Sequence, residues 1–114
     1  MRVLKFIVDG QIIKQDPNCD FDNLVPGTEG YLQCEFSFSP DWDGMVKVAG
    51  FWSKDARTLI ECEPQWLEKG RICTIPAKAL KTKRFVIQIL GKRVSDGTIL
   101  TTNKIEIIQT GGDV

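Results

Sequence analysis

The stretch Tyr31-Leu32-Gln33-Cys34-Glu35-Phe36-Ser37-Phe38-Ser39-Pro40-Asp41-Trp42-Asp43-Gly44 decides the fold. Leu32, Cys34, Phe36 and Phe38 alternate with Gln33, Glu35, Ser37 and Ser39. Side chains alternate between the two faces of a strand, so this run predicts one face against a core and one face wet. Pro40 has no N–H to give a ladder and ends the strand, and Gly44 lets the chain turn back. Trp42 stands on the corner between them, where its ring can close the end of the core.

Working outward toward the N-terminus, Arg2 to Val8 and Gln11 to Gln15 read as strands. Asp9-Gly10 lies between them and predicts a type I′ hairpin turn. Residues 16–30 read as a loop pinned to the core by Phe21, Leu24 and Val25, long enough to carry the chain from one sheet to the other. Toward the C-terminus, Met45 to Trp52 is the next strand. Val46, Val48 and Trp52 share one of its faces; Met45, Ala49 and Phe51 share the other, with Lys47 among them. Both faces are partly apolar, which predicts a central strand or one whose outer face meets a partner.

Ser53 to Arg57 reads as a turn and Thr58 to Glu63 as a strand pairing back, followed by a loop at 64–70 that holds Trp66 and Leu67. Arg71 to Ile75 is short and extended, and Ala77 to Lys81 is the one stretch with helix-favouring residues, barely a turn and a half. In Arg84 to Leu90, Phe85, Ile87 and Ile89 point in, and Gly91 is expected to break the strand. Asp96-Gly97 marks a turn before Thr98 to Thr102, and Ile105 to Gln109 closes the domain. The expectation is an all-β, Ig-like β-sandwich of eight or nine short antiparallel strands without a substantial helix. It occupies residues 1–109, and 110–114 form a flexible tail.

The chain has 114 residues, fifteen basic and fifteen acidic, so its formal net charge is zero. A neutral chain lacks the long-range attraction that favours nucleic acid or an anionic membrane, and lacks the self-repulsion that opposes packing against copies or neighbours. No apolar run is long enough to cross a bilayer as a helix. Met1-Arg2-Val3 leads straight into a strand without a signal-peptide pattern, so synthesis in a cytoplasm is expected. Cys19, Cys34, Cys62 and Cys73 form no CxxC pair; buried reduced thiols are expected, with a cross-strand disulfide as the alternative.

The chain contains no histidine, which removes the commonest general base and the histidine-dependent nucleophile systems. Asp41 and Asp43 flank Trp42, and Asp20 and Asp22 flank Phe21. Such pairs could ligate calcium or cleave a glycoside, but turn chemistry, with each carboxylate bonded to nearby backbone amides, is the favoured reading. No catalytic, cofactor or metal site is therefore predicted. Lys78, Lys81, Lys83, Arg84, Lys92 and Arg93 make a locally basic region without interleaved aromatics, read as a solvated face or a patch meeting an acidic neighbour. Trp42 is read as structural. Trp52 and Trp66 are candidates for exposure, where aromatics serve a protein interface or stack on sugars.

The order Phe36-Ser37-Phe38-Ser39-Pro40-Asp41-Trp42-Asp43-Gly44, Lys47-Val48-Ala49-Gly50-Phe51, Cys73-Thr74-Ile75-Pro76 with Leu80, Phe85-Val86-Ile87-Gln88-Ile89-Leu90-Gly91 and Thr101-Thr102-Asn103 resembles a known kind of module. It is similar to the small β-sandwich modules of virion proteins in tailed bacteriophages and prophages of Gram-positive bacteria, over residues 28–109. Those modules open baseplate, tail-fibre or head-fibre proteins. The resemblance implies a non-enzymatic virion component that docks onto capsid, tail or fibre proteins and carries no catalytic residue; the zero net charge also permits a homo-oligomer. Fibre proteins usually continue into a shaft or a receptor-binding domain. This chain stops after the sandwich, as a stand-alone decoration or a fragment would. Met45, Phe51, Trp52 and Trp66 are the expected contact residues. A carbohydrate-binding module that stacks host surface glycans on Trp52 and Trp66 is the alternative, and a small glycosidase using Asp41 or Asp43 is the weakest reading.

Overall fold

The computed structural model describes residues 1–111, so of the expected tail only Thr110 and Gly111 can be placed and 112–114 lie outside the described residues. The first apolar run forms β1 (Arg2–Asp9) and returns as β2 (Ile12–Gln15), with Asp9 opposite Ile12. The two central turn residues are thus Gly10 and Gln11, one place later than the Asp9-Gly10 signal suggests. Gly10 has φ +56° while Gln11 is not left-handed, the pattern of a type II′ turn rather than I′.

The strand that anchors the sequence reading is β3 (Leu32–Phe38), with Leu32, Cys34 and Phe36 buried as the alternation requires. Its placement corrects one expectation. The long 16–30 connection does not change sheets; it returns the chain to the start of β1, and β3 lies parallel to β1 from Arg2↔Leu32 to Val8↔Phe38. A parallel neighbour needs a crossover of a dozen residues or so, which accounts for the length of this loop. Phe21 packs edge-on against Phe6 with ring centroids 5.4 Å apart, and Leu24 is buried, but Val25 is exposed. Thr110 and Gly111 are tied to the same loop, through Asn23 N–H to Thr110 Oγ1 and Gly111 N–H to the Leu24 carbonyl.

After a 3-10 turn at Pro40–Trp42 the chain enters the second sheet as β4 (Val46–Asp55) and β5 (Thr58–Glu61). A two-residue strand, β6 (Gln65–Trp66), also pairs with β4, so Trp66 lies on a strand rather than in a loop. Then β7 (Ile72–Thr74) crosses back to pair with β3, and a 3-10 turn spans Ala77–Lys81. The last strands are β8 (Arg84–Lys92), β9 (Ile99–Thr101) and β10 (Ile105–Ile108). Among the described residues the result is an all-β sandwich of ten strands in two sheets, ordered β2-β1-β3-β7 and β10-β8-β4-β5, with β6 on β4 and β9 on β8. All pairings but β1–β3 are antiparallel.

Between the sheets lie Leu4, Phe6 and Val8 of β1, Cys34 and Phe36 of β3, Ala49 and Phe51 of β4, and Phe85, Ile87 and Ile89 of β8. Each such large side chain contributes about 1.5–3 kcal/mol by leaving water. Cys34 faces Cys73 across β3–β7, and all four cysteines are free thiols. Burial pushes the Cys34 thiol well above its ordinary range, and the neighbouring Cys73 adds to that.

Trp42 closes the end of this core as its corner position suggests. It is fully buried, and its indole N–H donates to the Gly10 carbonyl at 2.8 Å. Pro40 opens the 3-10 turn that carries Trp42, and Gly44 leaves it with φ +73°, a conformation glycine adopts without penalty. Gly91 does not break β8. It stays in the strand because the ring of Trp42 rests on it: a Cβ there would sit 2.7 Å from Trp42 Cζ3. Arg93 locks the corner from outside, donating to the carbonyls of Asp41 at 2.8 Å and Asp43 at 3.0 Å.

Candidate docking face

The register of β4 sorts its side chains. Ala49, Phe51 and Ser53 are buried in the sandwich, whereas Val46, Val48, Gly50, Trp52 and Lys54 face outward. Opposite them on β8 stand Lys92, Leu90, Gln88, Val86 and Arg84 respectively. Trp66 of β6 lies beside Val48, and Ile99 of β9 beside Lys92. These side chains form one outer face whose two ends differ.

At the end near the β4–β5 turn the face is closed. Lys54 Nζ and Arg84 Nη1 hold the Glu106 carboxylate at 2.7 and 2.9 Å. The hydrogen bond from Lys54, joined by Arg84, keeps the Glu106 pKa below its ordinary value against the opposing cost of desolvation. Val86 is buried between Trp52 and Glu106, its neighbours on β4 and β10. The Trp52 ring is half-buried, with Lys104 Nζ 4.6 Å from its centroid, a cation–π contact. That ring leans back over Gly50, where a Cβ would lie 3.0 Å from Trp52 Cη2. Glycine here leaves room for the indole to lie along the sheet.

At the other end the face is bare. Trp66 is 70% exposed, Val94 79%, Ile99 62%, Val46 52% and Leu90 44%. Trp66 borders two clefts on this face. On one side of it a cleft of about 380 Å³ runs to Trp52 over Val48 and Gly50, with Glu61 and Gln88 as its polar groups. On its other side a cleft of about 360 Å³ is lined by Val46, Val48, Leu90, Lys92 and Val94. Single exposed apolar residues are ordinary on a protein surface, but a contiguous set around a protruding tryptophan is the pattern of an interface anchor.

Of the four contact residues expected from sequence, the structure brings Trp52 and Trp66 together and removes the other two. Met45 and Phe51 are buried, so neither can meet a partner. Lys47 shares their place in the alternation, so the pattern by itself leaves either face of the strand open to be the outer one. At the end of the sheet Lys47 lays its Nζ 4.9 Å from the Phe38 ring centroid and near the Met45 carbonyl. Its stem covers apolar surface while its charge reaches out. Val94, Ile99 and Leu90 were missed. Their signal was present as apolar residues at outward positions of a strand and its following turn.

Of the four aspartates that flank Phe21 and Trp42, Asp20 shows the expected turn chemistry, whereas Asp41 bonds a side-chain hydroxyl rather than a backbone amide. Asp20 Oδ1 accepts the Asp22 N–H at 2.8 Å, and Asp41 Oδ2 accepts the Ser39 hydroxyl, which itself accepts the Gly10 N–H. The basic region is divided: Arg84 is committed to Glu106, and Arg93 to the Trp42 corner and Asp96. Backbone and hydroxyl donation from Thr98, with help from Arg93, holds the Asp96 carboxyl below its ordinary value.

No family model, no curated protein and no solved structure matches this chain.

Proposed function

We propose that this protein is a non-enzymatic assembly module of a tailed-bacteriophage particle. It docks onto another virion protein through the bare end of its outer sheet face. The observation that carries the reading is Trp66, mostly exposed, with an apolar cleft on either side. An exposed indole between two apolar hollows offers a partner both a knob to enclose and sites to fill, the features of a binding hot spot. The setting rests on the sequence resemblance to phage virion modules, and the zero net charge places no electrostatic barrier against close packing. Purified particles test it. The protein is expected in isolated virions, and a Trp66→Lys variant that remains folded is expected to be lost from them. Absence of the wild-type chain from virions overturns the proposal.

A second reading is favoured by one specific feature. Trp52 and Trp66 flank the same cleft, with the Gln88 carboxamide and the Glu61 carboxylate as its polar groups. Sugar rings stack on indoles while carboxamides and carboxylates bind hydroxyls. In this reading the cleft takes a host surface glycan. Quenching of tryptophan fluorescence by oligosaccharides, abolished in Trp66→Ala, is its expected signature; a flat titration across a glycan panel removes it.

A further inference from the structure

The open edge of the larger sheet has a different role from its face. In β4–β5 the Cys62 N–H donates to the Phe51 carbonyl at 2.9 Å, which fixes the hydrogen-bonded positions of the pair. By alternation Thr58 and Ile60 turn their amides toward β4, and Leu59 and Glu61 turn theirs to the open edge. All four residues of β5 are exposed, including Leu59 at 42% and Ile60 at 41%.

Folded proteins usually guard such edges with proline, lysine, a bulge or a covering loop. The β2 edge of the smaller sheet is guarded: Asn103 Oδ1 accepts the Ile13 N–H of β2 at 2.8 Å, and the Asn103 N–H donates to the Gln11 carbonyl. β5 is short, four residues, and carries the charge of Glu61, but it holds no proline, lysine or bulge. Lys78 Nζ reaches the Glu61 carbonyl at 3.5 Å, a contact from the tip of a flexible side chain that leaves that oxygen a second lone pair.

We propose that β5 is a self-association edge. It pairs antiparallel with β5 of a second copy, Leu59 opposite Leu59, which brings Arg57, in the turn just before the strand, beside Glu61 at the end of the partner's strand, and joins two larger sheets into one. The sequence selects both occupant and register. A two-fold axis perpendicular to the sheet keeps each residue on its own face, so only every second register is allowed. The register centred on Leu59 sets Arg57 against Glu61 on both sides of the axis, with apolar contact between them. The next register puts Leu59 against the Glu61 carboxylate. Neither Arg57 nor Glu61 has an ion-pair partner among the described residues of its own chain. Cross-strand pairs of opposite charge stabilise such a ladder, and like charges oppose it.

This pairing goes beyond the docking reading because it uses the edge: it engages Glu61 at the rim of the Trp52–Trp66 cleft and leaves Trp66 itself and the cleft beyond it free. The same axis turns both bare faces to one side, so a dimer presents two docking faces at once and gains avidity for a repeated partner. Sedimentation equilibrium of the full chain from micromolar to millimolar concentration tests it. A reversible monomer–dimer equilibrium is expected, with the Leu59 amide gaining protection from hydrogen exchange as concentration rises. Leu59→Pro removes the central donor and is expected to abolish the dimer; Leu59→Lys, which keeps the backbone unconstrained, should do the same. Arg57→Glu should weaken association about tenfold or more, and adding Glu61→Arg should restore it. A chain monomeric throughout overturns the proposal, as does a dimer indifferent to both Leu59 variants. A dimer lost in Trp66→Ala but kept in Leu59→Lys assigns self-association to the face instead. It overturns the edge while leaving the docking reading standing.

Discussion

The two ends of one sheet face make the instructive comparison. Around Trp52 the protein completes its own surface: Glu106 with Lys54 and Arg84 covers Val86, and Lys104 caps the indole. Around Trp66 on the same face the described residues supply no such cover, and five apolar side chains, its own included, stand in water. Two tryptophans that look alike in sequence thus do different work. Trp52 is a structural cover that the chain supplies for itself, and Trp66 is a knob left for something else to cover.

The comparison breaks most severely at its foundation. Gly91 lies under the bare end and carries the Trp42 ring, with a Cβ position 2.7 Å from Cζ3 and 2.9 Å from Met45 Sδ. Gly91→Val should therefore displace the indole that closes the core. Overpacking of this kind costs about 1–3 kcal/mol, and a lost Trp42–Gly10 hydrogen bond adds about 1 kcal/mol. Urea denaturation should show a lower midpoint, and near-ultraviolet dichroism a changed tryptophan band. An unchanged midpoint would mean that Trp42 is not seated as described.

The second test separates the two tryptophans. Trp52→Ala uncovers Val86 and removes a half-buried ring, and should cost about 1–3 kcal/mol of stability. Trp66→Ala removes a side chain that is 70% exposed and should stay within about 0.5 kcal/mol of wild type. Partner capture should respond in the opposite order, with Trp66→Ala losing about tenfold or more in affinity. Equal stability losses would dissolve the distinction between cover and knob.

Gly50→Ala sharpens the boundary between the ends. Its new methyl would meet the Trp52 ring at 3.0 Å, forcing the indole up from the sheet. The expected cost is about 0.5–1.5 kcal/mol, together with a red-shifted tryptophan emission as the ring enters water.

How much of this was legible beforehand follows from what periodicity can and cannot encode. The alternation of Leu32, Cys34 and Phe36, and that of Phe85, Ile87 and Ile89, gave the sandwich core directly, because burial of one strand face is written in every second residue. The Trp42 corner was readable from Pro40 and Gly44. The partner of each strand was not. That β3 lies parallel to β1 depends on where a fifteen-residue loop returns the chain, and nothing local in 16–30 specifies the destination. On β4, period two separated the Val46-Val48-Trp52 face from the Met45-Ala49-Phe51 face correctly but could not say which one is inside. Lys47 could not settle that question, since a lysine at a sheet end can reach solvent from an inward position. The cover over Trp52 was invisible for another reason: Lys54, Arg84 and Glu106 meet only after three strands are in register.

That cover gives the smallest effect and the most specific one. Glu106 has a lowered pKa because the Lys54 hydrogen bond favours its charged form. A carboxylate with a depressed folded pKa binds fewer protons when folded than when unfolded. Its contribution is therefore fully present above the unfolded value, near 4.5, and is lost as pH falls through the lower folded value. The group is partly exposed, with 31% of its side-chain surface in solvent, so screening keeps the contribution near that of a surface ion pair, about 1 kcal/mol or less. Glu106→Gln should be less stable than wild type at neutral pH by that amount, and the two melting curves should converge as the solution is acidified below 4.5. Added salt at neutral pH should shrink the gap as well. A gap that widens on acidification would mean that the carboxylate is not held by the two cations, and the covered end of the face would need another explanation.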